Sequence, residues 1–129
     1  MPVAAVLKVL IVDDQNSVRQ MTRMTLEEIG IQHVHEAENG RDAMGTASLQ
    51  PLDLIISDFN MPEMDGLDFL RALRGHPAAR KIPFILLTGR GDRELVVKAA
   101  EAGANNYLIK PFTSQTLREK IEQVMGKLS

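Results

Sequence analysis

The sequence predicts an α/β fold in three layers, a five-stranded parallel sheet with helices on both faces. Short β-branched or leucine-rich runs alternate with helical patterns along the chain, the mark of a sheet built from repeated strand-helix units. Three runs, Val9-Leu10-Ile11-Val12, Leu54-Ile55-Ile56 and Phe84-Ile85-Leu86-Leu87, are continuously apolar, so each needs cover on both faces. These runs and a fourth, Tyr107-Leu108-Ile109, lead into a polar group, respectively Asp13-Asp14, Asp58, Thr88 and Lys110-Pro111. Parallel strands would bring those ends to one edge of the sheet.

Taken in order, the first strand covers 8–12, and a helix from 16 to 29 stops at Gly30, a usual C-terminal signal. Residues 32–37 alternate in polarity and are placed at an exposed edge, with His33 and His35 facing solvent. A short weak helix over 41–48 precedes the third strand, 53–57. The third helix begins at Asp65-Gly66 and carries Leu67, Leu70 and Leu73. The fourth strand spans 84–87, followed by Gly89-Arg90-Gly91-Asp92 and an alanine-rich helix over 93–102, expected to be the most mobile. A fifth strand covers 106–109. Behind a Thr113-Ser114 cap, Leu117, Ile121, Val124, Met125 and Leu128 share one face of a last helix that runs to the chain end. Met21, Met24 and Met125 lie at core-like helical spacing, whereas Met61 and Met64, after Asp58, are candidate exposed partner contacts.

At 129 residues and 44% apolar composition, the chain supports one domain over 1–129 and not two. Net charge is −2, with Lys and Arg scattered, which disfavours nucleic acid as a partner. The absence of cysteine excludes disulfides and thiolate metal sites. The first residues lack a cationic lead, and no apolar stretch approaches the ~18 residues of a membrane span, so a cytoplasmic monomer without membrane attachment is expected.

The polar strand endings gather carboxylates beside a lysine, and like charges so placed call for a divalent cation. Each ending alone has a plainer reading. Asp13-Asp14 serves equally well as a helix cap, Thr88 as a hydroxyl bonded to backbone, Lys110 as a surface lysine, and Asn60-Met61-Pro62 and Asp65-Gly66 as turns. Convergence on one edge favours the joint reading. His33, His35 and His76 have neither ligand spacing nor an acid partner.

Val9-Leu10-Ile11-Val12-Asp13-Asp14, Asp58-Phe59-Asn60-Met61-Pro62-Glu63-Met64-Asp65-Gly66, Thr88-Gly89 and Tyr107-Leu108-Ile109-Lys110-Pro111-Phe112 resemble the receiver domain of bacterial two-component response regulators, and most of all single-domain chemotaxis regulators. The resemblance spans nearly the whole chain. It implies a doubly wound, flavodoxin-like sheet in the order 2-1-3-4-5 with its site at the carboxyl ends of the strands. It implies Asp58 as phosphoacceptor, with Asp13, Asp14, Asp58 and the backbone carbonyl of Asn60 around Mg2+, the hard cation such oxygens suit. Lys110 then stabilises phosphoryl charge, Thr88 and Tyr107 form the switch, and Pro111 follows a cis bond that helps aim the lysine. Expected partners are a histidine kinase, a downstream protein target such as the flagellar motor switch, and a phosphatase. A phosphate sink or relay receiver, a haloacid-dehalogenase-type phosphohydrolase and a phosphorylation-independent adaptor are the alternatives. The phosphohydrolase would need an acid at Asn60 and a cap domain, and has neither. Arg90 departs from the pattern, which is often acidic there, and is expected to alter phosphate lifetime by pairing with the phosphoryl group or Glu63.

Overall fold

The structure is a computed structural model that describes residues 2–89 and 93–129. Five parallel strands, β1 (Lys8–Val12), β2 (His33–Ala37), β3 (Leu54–Asp58), β4 (Phe84–Thr88) and β5 (Asn106–Ile109), form one sheet in the order β2-β1-β3-β4-β5. The helices are α1 (Asn16–Ile29), α2 (Gly40–Leu49), α3 (Gly66–Arg74), α4 (Arg93–Ala102) and α5 (Ser114–Met125). The expected order is therefore present.

Alternate strand residues feed two apolar cores. Leu10, Val12, Ile55, Phe84 and Leu86 face the side covered by α2, α3 and α4, where Phe69, Leu70 and Leu73 meet them. Val9, Ile11, Ile56, Ile85 and Leu87 face α1 and α5, closing on Leu26, Leu117 and Ile121. Burial of β3 and β4 is complete along both strands, as continuous apolar runs require. The edge strand β2 is graded instead: His33 is exposed, but His35 is only half-exposed.

Several expectations need correction. Asp58 and Thr88 are the last residues of their strands, not the first of their loops, because the ladder continues one step further: Asp58 pairs with Leu87 and Thr88 with Ile109. Met21 and Met24 are 63% and 60% exposed; the buried face of α1 is set by Thr22, Leu26 and Ile29, with Thr22 satisfied by the Val18 carbonyl at 2.9 Å. Met61 is buried and Met64 packs against the same core, so neither is an open partner contact. α5 stops at Met125, and Gly126, at φ 90°, turns the chain so that Leu128 is buried from outside the helix. The C-terminal residue then pairs with the start of the chain: Ser129 N–H donates to the Pro2 carbonyl and Ala4 N–H to the Ser129 carbonyl, both at 3.0 Å. A short 3-10 turn, Ala4–Val6, precedes β1. Arg90, Gly91 and Asp92 lie outside the described residues.

Caps follow local chemistry. Asp65 accepts from Asp68 N–H at 2.8 Å, Thr113 from Thr116 N–H at 3.1 Å, and Asn39 from Asp42 N–H at 2.7 Å. Gly30 ends α1 at φ 105°. Gly66 serves a different need: its N–H donates to the Phe59 carbonyl at 2.8 Å, and a Cβ there would collide with the Asp58 carbonyl oxygen and approach Phe59 Cα to 2.9 Å. The start of α3 thus rests directly on the end of β3.

A pair of glycines tests this packing. Gly66→Ala is expected to cost about 1–3 kcal/mol, the usual penalty of forcing atoms into a filled site. Gly45→Ala, in α2 with nothing within 4 Å of the added methyl, should instead stabilise by about 0.5–1 kcal/mol. Urea denaturation of the two variants measures both, and equal effects would mean that α3 does not sit on β3 this closely.

Candidate functional site

The sheet register fixes the site. β1 pairs Val12 with Ser57 of β3, and Asp58 pairs with Leu87 of β4, so Asp13 and Asp58 emerge side by side at the carboxyl edge. Lys110 follows β5 and reaches across β4, its N–H donating to the Thr88 carbonyl at 2.8 Å. Its Nζ stands 2.6 Å from Asp58 Oδ1 and 3.9 Å from Asp13 Oδ2. Carboxylate oxygens of Asp13, Asp14 and Asp58 all lie within 4.8 Å of one another. Asp13 and Asp58 are buried and Asp14 is exposed.

The balance of charge is incomplete. Asp13 Oδ1 accepts from Gln15 N–H at 2.9 Å, but Asp13 Oδ2 is buried without any hydrogen-bond partner among the described residues. Burial pushes the Asp13 carboxyl above the ordinary carboxylate range, with repulsion from Asp58 and Asp14 adding to the rise; the Gln15 N–H and the Lys110 ammonium oppose it. An orphaned buried oxygen among crowded carboxylates is what a divalent cation relieves, and three hard oxygen donors suit Mg2+. The residues present therefore fit that ion. The alternative reading of Asp13-Asp14 as a cap is not realised, since the N-cap of α1 is Gln15 and no side chain caps it.

Asn60 and Thr88 line a shared cleft beside Asp58, together with Asp65, Leu67, Gly89 and Leu95. Asn60 is exposed and Thr88 is buried. The Lys110-Pro111 bond is cis. Tyr107 stands apart from the carboxylates, half-buried against the α3 and α4 side of the core, with Lys120 Nζ 4.7 Å from its ring centroid. The structure thus brings Asp13, Asp14, Asp58 and Lys110 into one cluster, sets Asn60 and Thr88 on the adjoining cleft, and leaves Tyr107 outside both. Arg90 lies outside the described residues. No group of three or more His, Cys, Asp or Glu other than Asp13, Asp14 and Asp58 has metal-binding spacing among the described residues, so His33, His35 and His76 keep their plain reading. Two residues that touch this site escape a reading of the sequence: Gly66, whose need for no side chain is visible only once α3 is packed on β3, and Arg19, whose side chain returns to the Asp13 carbonyl.

A doubly wound parallel sheet with carboxylates and one lysine at its carboxyl edge defines a receiver of the two-component type. Residues 9–122 match the family described as response regulator receiver domain, and the chain belongs to that family. It is 47% identical over 128 residues to a probable chemotaxis protein CheY of Rhizobium etli, covering 99% of both chains. The structure of chemotaxis response regulator CheY4 of Vibrio cholerae superposes with a TM-score of 0.85 at 38% identity, over 92% of this chain and 98% of that one. The receiver domain of sensor histidine kinase PA1611 from Pseudomonas aeruginosa, solved with magnesium coordinated in its active-site cleft, gives 0.84 at 27% identity, over 94% and 98%. The chain is thus a receiver homologous to the CheY regulators of chemotaxis, and a signalling protein rather than a classical enzyme. No helix among the described residues is long and apolar enough to cross a membrane.

The raised Asp13 carboxyl gives a signed prediction. A folded-state value above the unfolded one means that ionised Asp13 costs stability above its folded pKa, and that this cost fades as pH falls from that value toward the ordinary carboxyl range and is gone below it. Asp13→Asn should therefore be more stable than the parent in chelator at pH 7.5, with the gap narrowing at pH 4. Mg2+ should reverse the order: at 100 times its dissociation constant it adds about 2.7 kcal/mol to the parent and little to the variant. Urea titrations at both pH values, with and without Mg2+, measure this.

Proposed function

We propose that the chain, acting as one receiver unit over 1–129, accepts a phosphoryl group on Asp58 from a histidine kinase and thereby changes the surface of α4, β5 and α5 to control a protein target in chemotaxis. The 2.6 Å approach of Lys110 Nζ to Asp58 Oδ1, beside the orphaned Asp13 Oδ2, carries this reading. Asp58 Oδ attacks phosphorus, a P–O bond forms, and the P–N bond to the donor imidazole breaks. Asp13, Asp14, Asp58 and the Asn60 carbonyl hold Mg2+, which supplies neutralising charge for the phosphoryl oxygens. Lys110 gives up its pairing with Asp58 and turns to a phosphoryl oxygen, so its charge is used in both states. Pro111 sets the backbone direction from which Lys110 reaches the site, and the Asn60 side chain faces the water that later hydrolyses the acyl phosphate.

Output rests on Thr88 and Tyr107. The added charge of about −1.5 to −2 draws the Thr88 hydroxyl toward it, and the packing of Tyr107 over the core changes with it. Lys120 above the ring favours the present position by about 0.5–1 kcal/mol, the range for an exposed cation–π contact, a bias small enough for phosphorylation to overcome. The protein acts as a switch whose only chemistry is its own phosphotransfer and dephosphorylation. The unit works as a cytoplasmic monomer, with a phosphatase setting the lifetime of its signal, and the flagellar motor switch is the kind of target that fits.

Incubation with acetyl phosphate and Mg2+ should give a labile phosphoryl adduct by intact mass. The adduct should be absent in Asp58→Asn and after chelation, and should fall at least tenfold in Lys110→Met. An unmodified parent would move the reading to a phosphorylation-independent adaptor. Tyr107 is the sole tyrosine in a chain without tryptophan, so its fluorescence reports the switch directly; emission unchanged by phosphorylation would remove Tyr107 from it.

A further inference from the structure

Arg19 is the most heavily committed cation in the described residues outside the Lys110 pairings and the α3 end. Its side chain is 12% exposed and donates in three directions: Nη1 to the Asp13 carbonyl at 2.7 Å, Nη2 to Asn16 Oδ1 at 3.0 Å, and Nε to Glu36 Oε1 at 3.1 Å. One guanidinium thus ties the end of β1, the first turn of α1 and the edge strand β2 together. Glu36 is in turn fixed from its other oxygen by Arg23 Nε at 2.8 Å, while Arg23 Nη2 bonds the Val34 carbonyl at 3.0 Å. The planar fork of arginine makes such a three-way tie possible; a lysine ammonium cannot span it.

The loop so held carries Asp13 and Asp14. Its remaining ties are few: Asp13 N–H bonds the Ala37 carbonyl at 3.1 Å, and Gln15 N–H bonds Asp13 Oδ1. Crowded carboxylates push such a loop outward whenever no cation is bound, so an outer tie is needed to keep the donor oxygens together. Arg19 holds the loop through the backbone carbonyl of Asp13 and makes no hydrogen bond to its carboxylate. Its hold is therefore on the position of the loop.

We propose that Arg19, braced by Glu36, is a positioning residue that preorganises the Asp13-Asp14 loop for a divalent cation. This rests on the reading of the carboxylate cluster as the Mg2+ site. Outer-shell partners of this kind are worth about 10–100-fold in metal affinity. Calorimetric titration of the full chain with MgCl2 tests it, alongside the amide resonance and hydrogen-exchange protection of Gln15 without metal. Arg19→Gln and Arg19→Lys should both bind Mg2+ about 10-fold more weakly and lose Gln15 protection. Arg23→Gln, which removes one of the three side-chain bonds to Glu36 but no bond to the loop, should bind within about twofold of the parent.

Retained affinity in Arg19→Lys with loss in Arg19→Gln would assign the effect to charge and overturn the positioning role. Equal loss in Arg23→Gln would make it a general loss of stability and overturn it too, as would parental affinity in all three variants. A parent that takes up no Mg2+ overturns the site reading itself, an outcome distinct from a parent that binds while the Arg19 variants bind as well.

Discussion

Everything at the carboxyl edge depends on the crowding of Asp13 and Asp58 in a buried corner against one ammonium. The two carboxylates are there because β1 and β3 are neighbours in register, with Val12 opposite Ser57, and each strand delivers an acid at the next step. Lys110 meets Asp58 at 2.6 Å and Asp13 only at 3.9 Å. Among the described residues, one charge therefore serves two. The shortfall falls on Asp13, whose Oδ2 has no hydrogen-bond partner among the described residues and whose proton is held more tightly than usual. A buried unpaired oxygen costs about 1–3 kcal/mol in an ordinary interior.

Such a site is tolerable only on a scaffold that cannot relax around it. β3 and β4 beneath it are wholly buried and β1 is buried beyond Lys8, with one core of aromatic and leucine side chains on the α2, α3 and α4 side and a second on the α1 and α5 side. Fully packed interiors resist the small shifts that would let carboxylates drift apart. Close backbone approach adds to this where α3 begins, since Gly66 leaves no room between helix and strand end. The apolar cores thus hold open a polar arrangement that is unfavourable in itself, the usual relation between a fold and its reactive edge.

Much of this was legible in the chain because the relevant signals are local. Continuous apolar runs marked β1, β3 and β4 as two-sided strands, and the polar residue closing each run marked the edge. Gly30, Asp65 and Thr113 ended or began helices as their chemistry dictates. What escaped was set by distant partners. Met21 and Met24 have core-like spacing, yet the α1 stripe is rotated so that Thr22 enters the interior instead, its hydroxyl satisfied by the helix's own backbone. Met61 and Met64 look like loop residues and are drawn inward, Met64 lying over Gly40 where a Cβ would come within 2.6 Å of its sulfur. Leu128 keeps the apolar phase of α5 although the helix has ended, because Gly126 redirects the chain toward the first residues. In each case periodicity gave the polarity of a face, and packing decided which residues occupied it.

The two sides of the site are built unequally. On the β1 side, Asp13 is fixed by its own loop, by Ala37 of β2 and by Arg19. On the β5 side, Lys110 is held by a backbone bond to Thr88 and by its contacts with Asp58 and, at longer range, Asp13, and its side chain is 26% exposed. The acid half is thus a rigid receptor and the lysine half is free to exchange one partner for another. Arriving charge at Asp58 would find donor oxygens already placed and a cation able to turn toward it, and the displaced pairing would be felt first along β4 and β5, where Thr88 and Tyr107 reside. Under the proposed reading, the asymmetry gives the signal its direction: toward β4 and β5, where the lysine exchanges partners, and away from the edge that Arg19 and Glu36 lock.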